Sequence, residues 1–182
     1  GLGKALLGLG LMLLALQLMG GITEPLRNSQ VMIQILGGLA SAPIFALLFA
    51  IGLAVAGTSS LAVVLFVSFL AQAGAVPPFL VLIFVAGANI GGAIPPWLGT
   101  LKEGVAATRL TLANLMVRVI GGLLLMIFAA PLAAPLQSLA PEYSLALIAH
   151  LAFNLALLCV FLPLTETLAR LMARILPETA DP

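Results

Sequence analysis

From Asn28 to Leu101 the chain runs 74 residues without one Asp, Glu, Lys or Arg. A stretch that long and that apolar belongs in a membrane, because a helix needs only about 20 apolar residues to cross the hydrocarbon. Two small polar islands interrupt it: Gly57-Thr58-Ser59-Ser60 and Gly87-Ala88-Asn89-Ile90-Gly91-Gly92. Hydrocarbon tolerates irregular backbone only where it is buried in protein or lines a cavity. A run with such islands points to the core of a transporter or channel.

Composition supports the same class. Charged residues make up 7% of the chain, against roughly 25% in an ordinary soluble domain. The net charge of +1 gives no argument for nucleic acid as a partner. The single cysteine, Cys159, excludes a disulfide framework. The chain opens on Gly1 rather than Met and so reads as a segment of a longer protein. A membrane domain is expected over residues 1–176, followed by a disordered tail over 177–182.

The first span is expected from Gly3 to Ile22, with Glu24, Pro25 and Arg27 ending it at an interface. Leu26 to Leu39 mixes Asn, Ser and Gln with aliphatic residues and reads as a helix lying along the membrane surface, or as a loop with some helical turns. Between Pro43 and Gly74 the Gly57-Thr58 break leaves two arms of about 15 residues. At 1.5 Å per residue each covers only ~22 Å. A re-entrant hairpin with its tip at Gly57 to Ser60 is expected; the alternative is one long helix kinked at the small residues. Pro77-Pro78 opens a discontinuous span, apolar through Ala86 and broken over Gly87 to Gly92. Pro95-Pro96 follows, which disfavours helix at Ile94, and Trp97 marks the interfacial end. Two full spans, Arg109 to Ala130 and Tyr143 to about Leu164, flank a loop over Pro131 to Glu142. Lys102 and Arg109 on one side, with Arg170 and Arg174 on the other, put that loop outside and the C-terminus inside.

No catalytic constellation is present: there is no metal-ligand cluster, no carboxylate pair within a span, and no nucleophile with a base. The protein is not expected to be an enzyme. Broken helices instead supply ion-binding groups, N–H groups for anions and unwound carbonyls for Na⁺. Thr58, Ser59 and Ser60 at the hairpin tip, with Asn89 and Arg118, are the candidate substrate-binding residues. Gly57, Ser59, Asn89, Gly91 and Asn154 are the candidate sodium-binding residues. Asn114 and Arg118 share one helical face, and so do His150 and Asn154. An arginine inside a span is a functional candidate because it costs at least ~2.5 kcal/mol at the helix centre. Arg118 reads either as a phosphate contact or as a structural partner for carbonyls. His150 and Asn154 read first as hydrogen-bonding groups between helices.

The sequence resembles the type II sodium/phosphate cotransporters and their bacterial relatives. Gly10 and its neighbours with Glu24-Pro25-Leu26-Arg27 are similar to the opening of that family's second repeat. Gly87-Ala88-Asn89-Ile90-Gly91 is similar to its asparagine segment, and Ala149-His150-Leu151-Ala152-Phe153-Asn154 with Leu162-Pro163-Leu164 to its last span. There are departures. Gly57-Thr58-Ser59-Ser60 stands where the family has Gln-Ser-Ser-Ser, Gly92-Ala93 replaces paired threonines, and Asn114 to Arg118 lies where a His and Phe-Asn pattern would be. The resemblance implies an all-α polytopic membrane protein with a re-entrant helical hairpin and a discontinuous helix, one half of an inverted-repeat transporter. It implies sodium-coupled symport of inorganic phosphate, with Na⁺ as coupling ion and no other cofactor. The implied partners are phosphate, Na⁺, the bilayer, the other repeat half and a homo-oligomer, in a bacterial inner membrane. Alternatives are a degenerate half acting as scaffold or regulator, and a transporter of another anion.

Overall fold

A computed structural model describes residues 1–139 and 144–177; the side chains of residues 22–24, 26 and 27 lie outside that description. The architecture is all-helical. The elements run α1 (Leu2–Arg27), α2 (Gln30–Ser41), α3 (Pro43–Ala56), α4 (Ser60–Gln72), α5 (Pro78–Gly91), α6 (Ile94–Thr100), α7 (Val105–Leu139), α8 (Leu145–Phe161) and α9 (Thr165–Ile175). A 3₁₀ turn, Leu162–Leu164, joins the last two. Among the described residues four stretches are long and apolar enough to cross a membrane: Leu2–Gly21, Pro78–Thr100, Val105–Leu139 and Leu145–Ile175. The protein is an integral, multi-pass membrane protein.

The fold is organised around α5. Every residue from Leu80 to Gly91 is buried, which only a helix surrounded on all sides achieves. Gly87 and Gly91, one turn apart, let α3 approach. A methyl group on Gly87 would sit 2.6 Å from the Leu47 carbonyl oxygen, and one on Gly91 would sit 2.5 Å from that of Ile51. On the facing helix Ala46, Ala50 and Ala54, spaced by four, are all fully buried. This is close packing of small residues in a membrane helix pair, where van der Waals contact replaces the hydrophobic drive. On another side Gly122 of α7 receives the Ile90 side chain.

This corrects the expected break over Gly87 to Gly92. The helix runs intact through Gly91, and the interruption falls at Gly92-Ala93, after which Ile94 begins α6. The glycines serve close approach rather than unwinding. Pro95 and Pro96 sit in the first turn of α6, where the missing donors are unpaired anyway, so Ile94 stays helical.

The hairpin break is where the sequence puts it. α3 and α4 have 14 and 13 residues, about 20 Å each, too short to cross the hydrocarbon alone. Thr58 has φ 48°, a left-handed conformation that an unbroken kinked helix would not contain. Ser59 caps α4, its side chain accepting from the Ala62 N–H at 3.2 Å.

Other boundaries move. α1 continues through Pro25 to Arg27 instead of ending at Ile22. The next helix spans Gln30–Ser41, capped by Ser29, rather than Leu26 to Leu39, and meets α3 at a bend of 119°. α7 extends to Leu139 and takes in Pro131 and Pro135, so most of the expected external loop is helix. Residues 140–143, where Tyr143 was expected to open the last span, lie outside the described residues, as do 178–182 of the expected tail. α9 folds back along α7, with Met172 buried beneath it. Arg109 of α7 donates to the Leu176 carbonyl at 2.9 Å, so the basic start of α7 and the end of the described chain share one side. α1 hardly packs: Leu2, Leu7 and Leu13 are 77%, 65% and 58% exposed, a surface that lipid would cover.

Candidate functional site

Asn89 lies two residues from both Gly87 and Gly91, about 200° of rotation away. The face opposite the glycines therefore carries the only carboxamide of α5 toward α7 and α8. Asn89 is completely buried. Its Oδ1 accepts from Arg118 Nη1 of α7 at 2.7 Å and from Asn154 Nδ2 of α8 at 3.1 Å. Its Nδ2 donates to the Val85 carbonyl at 2.8 Å and meets His150 Nδ1 of α8 at 3.0 Å. The carboxamide thus makes the four hydrogen bonds it is capable of.

These contacts fix orientation. Turning the amide over would set its oxygen 2.8 Å from the Val85 carbonyl and its NH₂ against two donors. With Nδ2 donating, His150 Nδ1 must accept, which leaves the imidazole proton on Nε2. Asn154 Nδ2 also donates to the His150 carbonyl at 2.8 Å. Arg118 Nε donates to Asn114 Oδ1, one turn earlier on α7, at 3.2 Å. Three helices are joined by one network of neutral amides around one cation.

Arg118 has five N–H groups. Two are engaged, both by neutral asparagine oxygens. Among the described residues the other three meet no acceptor, and no carboxylate pairs with the guanidinium. It opens onto a groove of about 660 Å³ between α7, α8 and α9, whose polar lining includes Arg109, Asn114, Arg118 and Asn154, and whose walls are apolar, among them Leu157 and Phe161. An uncompensated guanidinium facing a low-dielectric groove attracts an anion with N–H donors to spare. Among the described residues no cluster of His, Cys, Asp and Glu could hold a metal.

The expected site residues divide into two places. Asn89, Arg118 and Asn154 come together. Gly57, Thr58, Ser59 and Ser60 form the hairpin tip, where Ser60 packs against Gly92, one turn beyond Asn89. No hydrogen bond among the described residues joins the tip to Asn89, whose four hydrogen bonds all go to other groups. The Thr58 and Ser60 hydroxyls have no hydrogen-bond partner there, whereas Ser59 is occupied as a cap. Gly91 is buried against α3, away from the groove. Asn114, on the same helical face as Arg118, belongs to the network. Arg109 also lines the groove, a role its place among the flanking charges does not signal.

No family model matches the chain, and no solved structure matches it. It is 32% identical over 181 residues to a protein of Salmonella typhimurium named "Putative inorganic phosphate export protein YjbB", and 31% identical to proteins of the same name from Escherichia coli K12 and Shigella flexneri. In each case the alignment takes in 99% of this chain and 33% of the relative. The chain therefore spans about one third of the length of the curated relatives it matches, and along nearly all of its own length it is similar to bacterial proteins that bear that name.

Proposed function

We propose that this chain is part of the core of a membrane protein that moves inorganic phosphate across the bacterial inner membrane. The observation that carries the reading is Arg118, an intramembrane cation beside an apolar groove that has, among the described residues, three unengaged N–H groups and no carboxylate against it. Its planar donor set suits phosphate oxygens. Asn89, with all four hydrogen bonds made inside the protein, positions that guanidinium instead of contacting substrate. The hydroxyls of Thr58 and Ser60, and the capping Ser59, are proposed as a second anion contact reached when the hairpin moves against α5. Outward movement fits the relatives' name. An anion leaving a cell that is negative inside gains about 2.3 kcal/mol per charge per 100 mV, so that direction needs no coupling ion. The path is completed by further copies of this chain or by segments such as those that make up the rest of its longer relatives.

A second reading is favoured by the unpartnered Thr58 and Ser60 hydroxyls and by the signature resemblance: sodium-coupled symport, with Na⁺ held by Gly57, Ser59, Asn89, Gly91 and Asn154. It requires Arg118 to leave the Asn89 oxygen before an ion can bind there. Radiolabelled phosphate flux in proteoliposomes of the full parent protein tests the first reading. Flux that unlabelled phosphate and arsenate suppress and sulfate does not is the expected result. Suppression by sulfate alone would assign another anion, and no flux from folded protein would favour a scaffold.

A further inference from the structure

We propose that Arg118 is a cation built into the chain that occupies the position of a mobile coupling ion at the Asn89–Asn154 junction, so that anion binding in the groove does not require Na⁺. The inference rests on the phosphate reading above and adds the source of the positive charge.

Asn89 has a fixed polarity. Val85 and His150 supply acceptors on one side of the carboxamide, so its NH₂ is held there and its oxygen is turned toward α7. That oxygen, buried and carrying a partial negative charge, calls for a cation. A hard metal ion binds through free oxygen lone pairs. Here one lone pair receives Arg118 Nη1 at 2.7 Å and the other receives Asn154 Nδ2 at 3.1 Å. Asn154 has both its N–H groups committed, the second to the His150 carbonyl. The Asn114 oxygen, the next acceptor along α7, receives Arg118 Nε. At Asn89 a diffusing cation meets an oxygen with both lone pairs taken and a like charge at the same point; the Asn154 oxygen, which accepts no hydrogen bond among the described residues, is a single neutral ligand beside that charge.

The guanidinium does what an ion bound there would do. It draws α5 and α7 together through Asn89, and it turns its remaining N–H groups to the groove. Unlike an ion, it does not dissociate between turnovers. The charge that meets the anion is present whatever the sodium concentration.

The test is phosphate flux in proteoliposomes of the full parent protein, in sodium medium and in choline medium of equal ionic strength. Wild-type flux is expected to agree within twofold between the two. Arg118→Lys keeps the charge and is expected to be slower but equally indifferent to Na⁺. Arg118→Ala frees the Asn89 oxygen. It is expected to lose at least tenfold in choline and to regain at least threefold when Na⁺ is supplied. If the alanine variant does not fold, equilibrium dialysis of ²²Na⁺ against wild-type protein decides: no saturable binding is expected, and stoichiometric binding would overturn the proposal. Wild-type flux that falls tenfold in choline would also overturn it while leaving phosphate transport standing. An alanine variant equally slow in both media would overturn it too. No flux of wild type in either medium would overturn the phosphate reading, and this inference with it.

Discussion

Replacing Asn89 by leucine, a side chain of similar size, removes four hydrogen bonds at once and strands two donors, on α7 and α8, and two acceptors, on α5 and α8. A neutral hydrogen bond is worth about 0.5–1.5 kcal/mol net and one to a charged group about 1.5–3, while side-chain pairs measured between membrane helices average only ~0.6 and reach ~1.7. The Arg118 to Asn89 bond is short, at 2.7 Å, and its acceptor is completely buried, so the upper end applies. Arg118 itself can turn to the groove, which limits the penalty. Together these give a loss of about 2–4 kcal/mol for Asn89→Leu and a coupling of about 1–2 kcal/mol between Asn89 and Arg118. A double-mutant cycle with Arg118→Met measures the coupling, by denaturant titration of purified protein in mixed micelles followed by circular dichroism. In the Arg118→Met background, the cost of Asn89→Leu should shrink by that amount. Coupling under about 0.3 kcal/mol, the level at which independent sites add, would refute the view that this bond joins α5 to α7.

Four further substitutions probe the frame around the network. Gly91→Ala should destabilise by about 1–3 kcal/mol, because its methyl would meet the Ile51 backbone, whereas Gly52→Ala on α3, with open space around it, should be neutral or stabilising by up to about 1 kcal/mol; thermal unfolding of both variants checks the contrast. Thr58→Gly should gain roughly 0.5–1 kcal/mol in the same assay, since relief of a left-handed threonine outweighs the extra chain entropy of glycine. Ser59→Ala should lose about 1 kcal/mol with the cap of α4, and faster amide exchange at Ala62 would report it.

Local chemistry is legible in this sequence and long-range pairing is not. The hairpin break follows from Gly57 to Ser60 because two arms of that length cannot both cross a bilayer. The faces that pair Asn114 with Arg118, and His150 with Asn154, follow from four-residue spacing. The glycines around Asn89 misled because glycine both interrupts helices and lets them touch; only the partner helix, with Ala46, Ala50 and Ala54, tells which. Pro131 and Pro135 stay within α7, although each removes a donor from the helix. The apolar spacing of Leu168, Leu171, Met172 and Ile175 is a signal for amphipathic α9, with Arg170 and Arg174 on its polar side. That Asn89 meets Arg118, His150 and Asn154, which lie 29, 61 and 65 residues away, is a product of packing around α5.

Arg118 is proposed to offer its unengaged N–H groups to phosphate. Equilibrium binding of labelled inorganic phosphate to the purified full parent protein tests it most directly, with Arg118→Met beside the wild type and circular dichroism confirming that both are folded. Wild type should bind saturably and the variant at least tenfold more weakly. Equal affinity in the two proteins would contradict it.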